Sequence, residues 1–322
     1  MSNPFPEPRL KYFPVSFFAM VMGLTGLSIA WREAETVFAL KLAMSDALLV
    51  LATVAFVTLT ALYLTKLARF RPAVAKEIGH PIQLNFFPAI SVSLILLAVA
   101  FLSALPGVAG VLWVIGATMH LLLTLYVMSV WMHHEHFEIH HINPAWFIPV
   151  VGNVLVPIAG VPLGFTEVSW FFFSVGILFW LLLFAIIVNR VLFHQPLPER
   201  LMPTFFILIA PPAVGFIAYM QLVGELDAFA RVLYYSGLFL TLLLTTQVSR
   251  FWGLSFYLSW WAYSFPLAAI SIATLIMYQL TEEIAFAAIG WILLGLVTLV
   301  VVYLIYRTAR AVGSDKICVP AT

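Results

Sequence analysis

The chain has 322 residues, 63% of them hydrophobic and 9% charged, with a mean hydropathy of +1.07 and a formal net charge of +1. A soluble domain carries about 25% charged residues, so this chain cannot coat a water-facing surface, and large domains outside a bilayer are excluded. The near-neutral balance gives no case for nucleic acid, and the single cysteine, Cys318, rules out a disulfide framework and a thiolate metal cage.

Charged residues punctuate long apolar runs, which predict ten membrane spans near 14–31, 45–65, 84–104, 108–130, 146–163, 169–188, 203–221, 228–248, 256–278 and 284–306. The first follows Arg9 and Lys11 as a signal peptide would. It is long enough to span, however, and no small-residue cleavage site follows Trp31, so it reads as a retained helix. The run from 78 to 134 holds no Asp, Glu, Lys or Arg and is far too long for one helix. Ala104-Leu105-Pro106-Gly107 supplies the turn that splits it, and Gly164-Phe165-Thr166-Glu167 closes the third pair. Asp46 reads as an N-terminal cap of the second span. The expected fold is an all-α membrane protein of five helical hairpins: an N-terminal segment 1–13, a ten-helix domain 14–306 and a C-terminal tail 307–322.

Arg9, Lys11, Lys66, Arg69, Arg71, Lys76, Arg190, Arg200, Arg250, Arg307, Arg310 and Lys316 fall on the side of the amino terminus, against Arg32, Lys41 and Arg231 opposite. The positive-inside rule then puts both termini in the cytoplasm of an inner (plasma) membrane.

Prolines sort by span. The even-numbered spans have none, whereas the odd ones hold Pro88, then Pro149 and Pro157, then Pro211 and Pro212, then Pro266, with Gly23 and Gly26 in the first. Proline frees a carbonyl one turn back, which is tolerable only against protein or a watery cavity. Odd spans should therefore form an inner ring and even spans an outer, lipid-facing layer. Gly23, Pro157, Pro211 and Phe265 all fall near mid-depth, with Pro88 shallower. Helices broken there should aim amide-rich ends at the centre and favour an anion.

No charged residue lies deep in an odd span, and the polar residues there are Ser28, Ser91, Asn153, Ser264 and Ser271. Asp46 and His120 are the titratable groups inside spans, both on even helices; His120 reads as a hydrogen-bonded packing residue or a proton relay. Without fixed charge, chloride and nitrate pass more easily than sulfate or a dicarboxylate dianion. The cluster His133, His134, His136, His140 and His141 reads as an interfacial loop that titrates near neutrality. Alternatively, His133, His136 and His140 on one helical face could hold a transition metal. No nucleophile–base pair, phosphate loop or intramembrane acidic pair supports an enzyme, and no cofactor is implied.

Four strings carry a resemblance. His80-Pro81-Ile82-Gln83-Leu84-Asn85-Phe86-Phe87 and Trp260-Trp261-Ala262-Tyr263-Ser264-Phe265-Pro266 resemble segments of the slow anion channels of plant guard cells. Gly23-Leu24-Thr25-Gly26-Leu27-Ser28-Ile29-Ala30-Trp31, with Asn143-Pro144-Ala145-Trp146 before Pro149, resembles the bacterial tellurite-resistance protein A homologues of the same tellurite-resistance/dicarboxylate transporter family. The resemblance covers the membrane core. It implies ten helices in quasi-five-fold hairpins, a pore in each protomer of a homotrimer, and a pore blocked by Phe265 with Gly23 facing it. It does not imply the histidine-rich loop. The long regulatory tails of the plant channels have no counterpart in this sequence, so activation by phosphorylation is not expected. The expected function is a channel for small monovalent anions gated by Phe265. The rival is a secondary carrier for C4-dicarboxylates, sulfite or tellurite; a third reading is a membrane scaffold or sensor that uses the histidine loop.

Overall fold

Lipid offers no partners to backbone amides, so a chain this apolar must satisfy them within helices. The computed structural model describes residues 8–133, 138–251, 253–314 and 317–319, and among them there is no β-strand. The spans are α1 (Val15–Val37), α2 (Met44–Arg69), α3 (Gln83–Phe101), α4 (Pro106–His133), α5 (Pro144–Gly160), α6 (Thr166–Phe193), α7 (Glu199–Val223), α8 (Ala228–Thr245), α9 (Leu258–Thr281) and α10 (Ile284–Gly313). Among the described residues nine of these are long and apolar enough to cross a bilayer, and α5 is a shorter apolar helix. The protein is a multi-pass membrane protein.

Several boundaries differ from those expected. α1 runs past Trp31 to Val37 because Arg32 to Thr36 contains no glycine or proline to stop it, and Glu33 therefore lies inside the span. α10 likewise absorbs Arg307 and Arg310, which were expected in a tail. Asp46 is not the cap of α2. It sits within the first turn and pairs with Arg32 at 2.5 Å, while the Glu35 carboxylate reaches across to accept from the Met44 and Ser45 amides. Pro106 and Gly107, expected in the turn, are instead the first two residues of α4, while Gly164 takes φ +87°, the left-handed conformation that lets the chain reverse into α6.

Burial sorts the spans into two layers. In the central windows of α1, α3, α7 and α9, 67–78% of residues are buried, against 22–39% in α2, α4, α6, α8 and α10. Inner helices touch in a closed order: α1 with α3, α3 with α5, α5 with α7, α7 with α9, and α9 again with α1. Each outer helix packs on the inner helix before it, so the contacts are those of five hairpins around a ring, as a quasi-five-fold arrangement requires. Small residues permit the close approach. A Cβ on Gly176 of α6, for example, would lie 2.2 Å from Val154 Cγ2 and 2.9 Å from the Val154 amide nitrogen in α5.

The inner helices share an internal change of winding that the outer ones lack. Each contains a 3-10 stretch, 15–17, 83–86, 152–155, 199–209 and 258–263, that passes into α-helix. The prolines fall in the first turn of an α stretch: Pro88, Pro149, Pro157, Pro211, Pro212 and Pro266. Proline is tolerated there because its missing N–H is not needed as a donor. The helices therefore tighten without unwinding. At each junction the backbone amide is bonded to the turn before it, as in Ala210 to Ile207 and Ser264 to Trp261. The expected free amides at mid-depth are absent from these junctions, since an unpaired amide in lipid is too costly.

Arg9 donates to the carbonyls of Val312 (3.1 Å) and Ile317 (3.2 Å), so both chain ends lie on one face, here the terminal face. Inner helices run from that face to the opposite one.

Candidate ion pathway

On the terminal face a wide depression of about 530 Å³ is lined by Lys11, Lys66, Lys76, Glu77 and His80 among others. It shares Pro14, Glu77, His80 and Gln83 with a second cavity of about 230 Å³, reached by Ser16, Arg200, Tyr257 and Ser259. One ion pair builds this wall. Lys66 Nζ donates to Glu77 Oε2 and to the Phe13 carbonyl, both at 2.7 Å, and Tyr63 donates its hydroxyl to Glu77 Oε2 at 2.8 Å. The Val15 amide donates to the other carboxylate oxygen at 3.3 Å. Both charged side chains are buried, so the pair ties the start of α1 to α2 and to the short helix Arg71–Ile78. Sequence reading placed Lys66 in the interfacial loop and did not find this pair.

His80 Nδ1 accepts from the Ile82 amide at 3.1 Å, which leaves the ring proton on Nε2. Burial, and next the Arg200 guanidinium, hold its pKa below the ordinary histidine value. Arg200 has no side-chain hydrogen bond or ion pair among the described residues. The vestibule is thus walled by cations with one internally neutralised carboxylate.

Deeper, all five inner helices surround an apolar neck of about 70 Å³. Its walls include Ala19 and Met22 of α1, Val92 of α3, Phe147 and Gly152 of α5, Ile207 and Pro211 of α7, and Phe265 and Pro266 of α9. Beyond it lies a smaller cavity of about 30 Å³ lined by Gly26, Ile29, Leu96, Val99, Ile158, Ile217, Ala269 and Ile272. Leu155, Val214 and Phe265 line both. Each helix gives its earlier residues to the first cavity and its later ones to the second, so the two lie in series, with Phe265 between them. Phe265 is buried, with 9% of the residue exposed.

The glycine against that ring is Gly26, not Gly23. A Cβ on Gly26 would lie 3.0 Å from Phe265 Cδ2 and 3.2 Å from Ala268 Cβ. Gly23 instead meets Ser264, where a Cβ would fall 2.1 Å from the hydroxyl oxygen and 2.7 Å from Ser264 Cβ. The two glycines are three residues apart and face successive turns of α9. Of the other residues singled out, Pro211 and Pro266 line the neck, whereas Gly23, Pro88, Pro149, Pro157, Pro212 and Ser264 line neither cavity in series.

The buried hydroxyls and amide serve the framework rather than the neck. Ser264 donates to the Trp261 carbonyl, Ser28 to Ser45, and Ser91 to Pro88. Thr124 of α4 donates to the Pro149 carbonyl at 2.6 Å, and Asn153 to Val150 and Thr124. His120 is fully buried with Nδ1 2.9 Å from Ser91 Oγ, while Nε2 has no partner. It backs onto Gly152, whose missing Cβ leaves room for the imidazole, with 2.7 Å from the ideal Cβ position to Nε2. The polar groups that do reach the neck, Ser16, Thr204 and Ser259, lie at the starts of helices and were not singled out by sequence.

Of the histidine cluster, His134 and His136 lie outside the described residues. His133 Nδ1 sits on the Ser129 carbonyl and His140 pairs with Glu138 at 3.1 Å. Among the described residues no three histidine, cysteine or acidic side chains are grouped to hold a metal.

The family profile described as "SLAC1: Voltage-dependent anion channel" matches residues 12–309. The chain is 30% identical to S-type anion channel SLAH3 of Arabidopsis thaliana over 94% of its own length and 48% of the relative's. It is 26% identical to the guard cell S-type anion channel SLAC1 of the same plant, over 83% and 50%. The tellurite resistance protein TehA homolog of Haemophilus influenzae is 26% identical, over 94% and 92%. The chain thus spans about half the length of the two plant relatives and nearly all of the bacterial one. With the match running from the start of α1 almost to the end of α10, the chain belongs to the SLAC1 family.

Proposed function

We propose that the protein is an anion channel passing small monovalent anions, chloride and nitrate, through the axis of its inner helices, with the Phe265 side chain as the gate. The carrying observation is the placement of one ring between two apolar cavities in series. Cations at the vestibule raise the local anion concentration, and the neck then selects by desolvation, which favours monovalent over divalent anions. Opening needs no backbone rearrangement: an off-rotamer χ angle costs about 0.5–1.5 kcal/mol. The names of the plant relatives support anion conduction. On the distribution of lysine and arginine the terminal face is cytoplasmic and the membrane is the inner (plasma) membrane. The family resemblance supports a trimer with one pore per protomer.

A coupled carrier for C4-dicarboxylates, sulfite or tellurite is the second reading; of these the name of the bacterial relative speaks to tellurite alone. Ion-substitution recording of the purified protein in planar bilayers separates the two. The channel gives currents that reverse at the chloride or nitrate equilibrium potential and ignore a pH gradient. Flux driven by a pH gradient with fixed stoichiometry would establish the carrier.

A further inference from the structure

The pathway residues of α1 fall on one stripe: Ser16, Ala19 and Met22 on the neck, then Gly26 and Ile29 on the cavity beyond Phe265. Steps of three and four residues keep a single helical face. The next residue on that face is Glu33, still within α1, half-buried, and without a hydrogen bond or ion pair among the described residues. Its neighbours in sequence are all engaged: Arg32 with Asp46 and Ser103, Glu35 with Met44 and Ser45. On α7 the same stripe continues from Ile217 to Gln221, whereas α3 ends at Phe101, two residues past Val99, so on α1 the side chain that follows the outer cavity is acidic. Connections on this face are acidic on balance as well, with Glu225, Asp227, Glu282 and Glu283 against Lys41 and Arg231.

We propose that Glu33 is a charged exit of the pore: its carboxylate, set against Arg200 at the terminal mouth, makes the anion current driven outward from the terminal face larger than the current driven back by an equal and opposite voltage. The inference rests on the anion-transport reading and adds a residue and a direction to it. A fixed charge cannot move the equilibrium of a passive pathway; it changes the anion concentration at each mouth and so bends the current–voltage curve. One unit charge about 6 Å from the axis in water changes the local anion concentration by about threefold, and screening in about 1 M salt should remove most of this.

The test uses Phe265→Ala as the parent, with Glu33→Gln and Glu33→Lys added, under symmetrical chloride in planar bilayers. The same variants with native Phe265 are compared by tracer chloride flux in oriented proteoliposomes held at equal membrane potentials of opposite sign. At a voltage that drives anions inward, Glu33→Gln should raise passage about threefold, with little change at the opposite voltage and none in the reversal potential. Glu33→Lys should raise that passage further, and both effects should shrink in about 1 M salt. Identical curves and fluxes in both variants would overturn the proposal. A coupled carrier would also load anions through this mouth, so the tracer arm reads Glu33 whichever transport mode holds. Proton coupling in that arm would overturn the channel reading alone.

Discussion

The same five inner helices build two contrasting stretches of pathway. Near the terminal face their first residues and the short helix Arg71–Ile78 wall a vestibule with Lys66, Lys76, Glu77, His80 and Arg200. A few turns deeper, where 3-10 winding gives way to α-helix, the lining is almost wholly apolar, with the Phe265 ring on the wall of both cavities. Attraction and obstruction are thereby separated. On the proposed channel reading, charge placed in the neck would hold an anion tightly in low dielectric, whereas charge in the vestibule would gather anions without trapping them. It follows that damage to the vestibule should change assembly or supply, and damage to the neck should change passage.

The largest expected effect is structural. Lys66→Ala or Glu77→Ala leaves a buried charge without its partner, a loss of about 3–5 kcal/mol, read as a lowered melting temperature in detergent. The paired replacement Lys66→Met with Glu77→Leu removes both charges and should recover most of that loss. A double variant as unstable as the singles would show that the pair contributes more than charge compensation.

At the neck, Gly26→Ala puts a methyl 3.0 Å from the Phe265 ring. We expect it to alter open probability in the native background and to do nothing in Phe265→Ala, with a coupling energy of about 1 kcal/mol. Equal effects in both backgrounds would remove Gly26 from the gate. Gly23→Ala should act on stability instead, by about 1–3 kcal/mol through overpacking against Ser264.

The smallest effect belongs to His80. Its pKa is held below the ordinary value by burial and by Arg200. It is therefore neutral at pH 7 and gains charge only as pH falls below about 6.5. Anion current should rise modestly on acidifying the terminal side below that value and stay flat in His80→Gln. A rise with its midpoint above that value would point to another group.

Much of this architecture was legible in the sequence. Charges interrupting apolar runs gave ten spans, Pro106 and Gly164 marked reversals, and the prolines separated inner from outer helices. The winding was not legible, because a proline in the first turn of an α stretch and a proline that breaks a helix look alike until the hydrogen bonds are placed. Gly23 and Gly26 both lie on the side of α1 toward α9, and only the register between the two helices decides which meets Phe265. Glu33 is hidden in the sequence because the first charges after Trp31 read as the end of the span. Lys66 and Glu77 come from different helices, and each alone reads as an ordinary interfacial charge.

The account stands on a ring that closes the neck by its bulk. A graded series at residue 265, with Trp, Leu, Ala and Gly in place of Phe, measured as unitary chloride conductance in planar bilayers at matched reconstitution, tests this most directly. We predict conductance that rises as side-chain volume falls, by about tenfold or more from Phe to Ala, the equivalent of removing roughly 1.4 kcal/mol of barrier, with the chloride reversal potential unchanged. A series with the same conductance throughout, from well-folded protein, would contradict it.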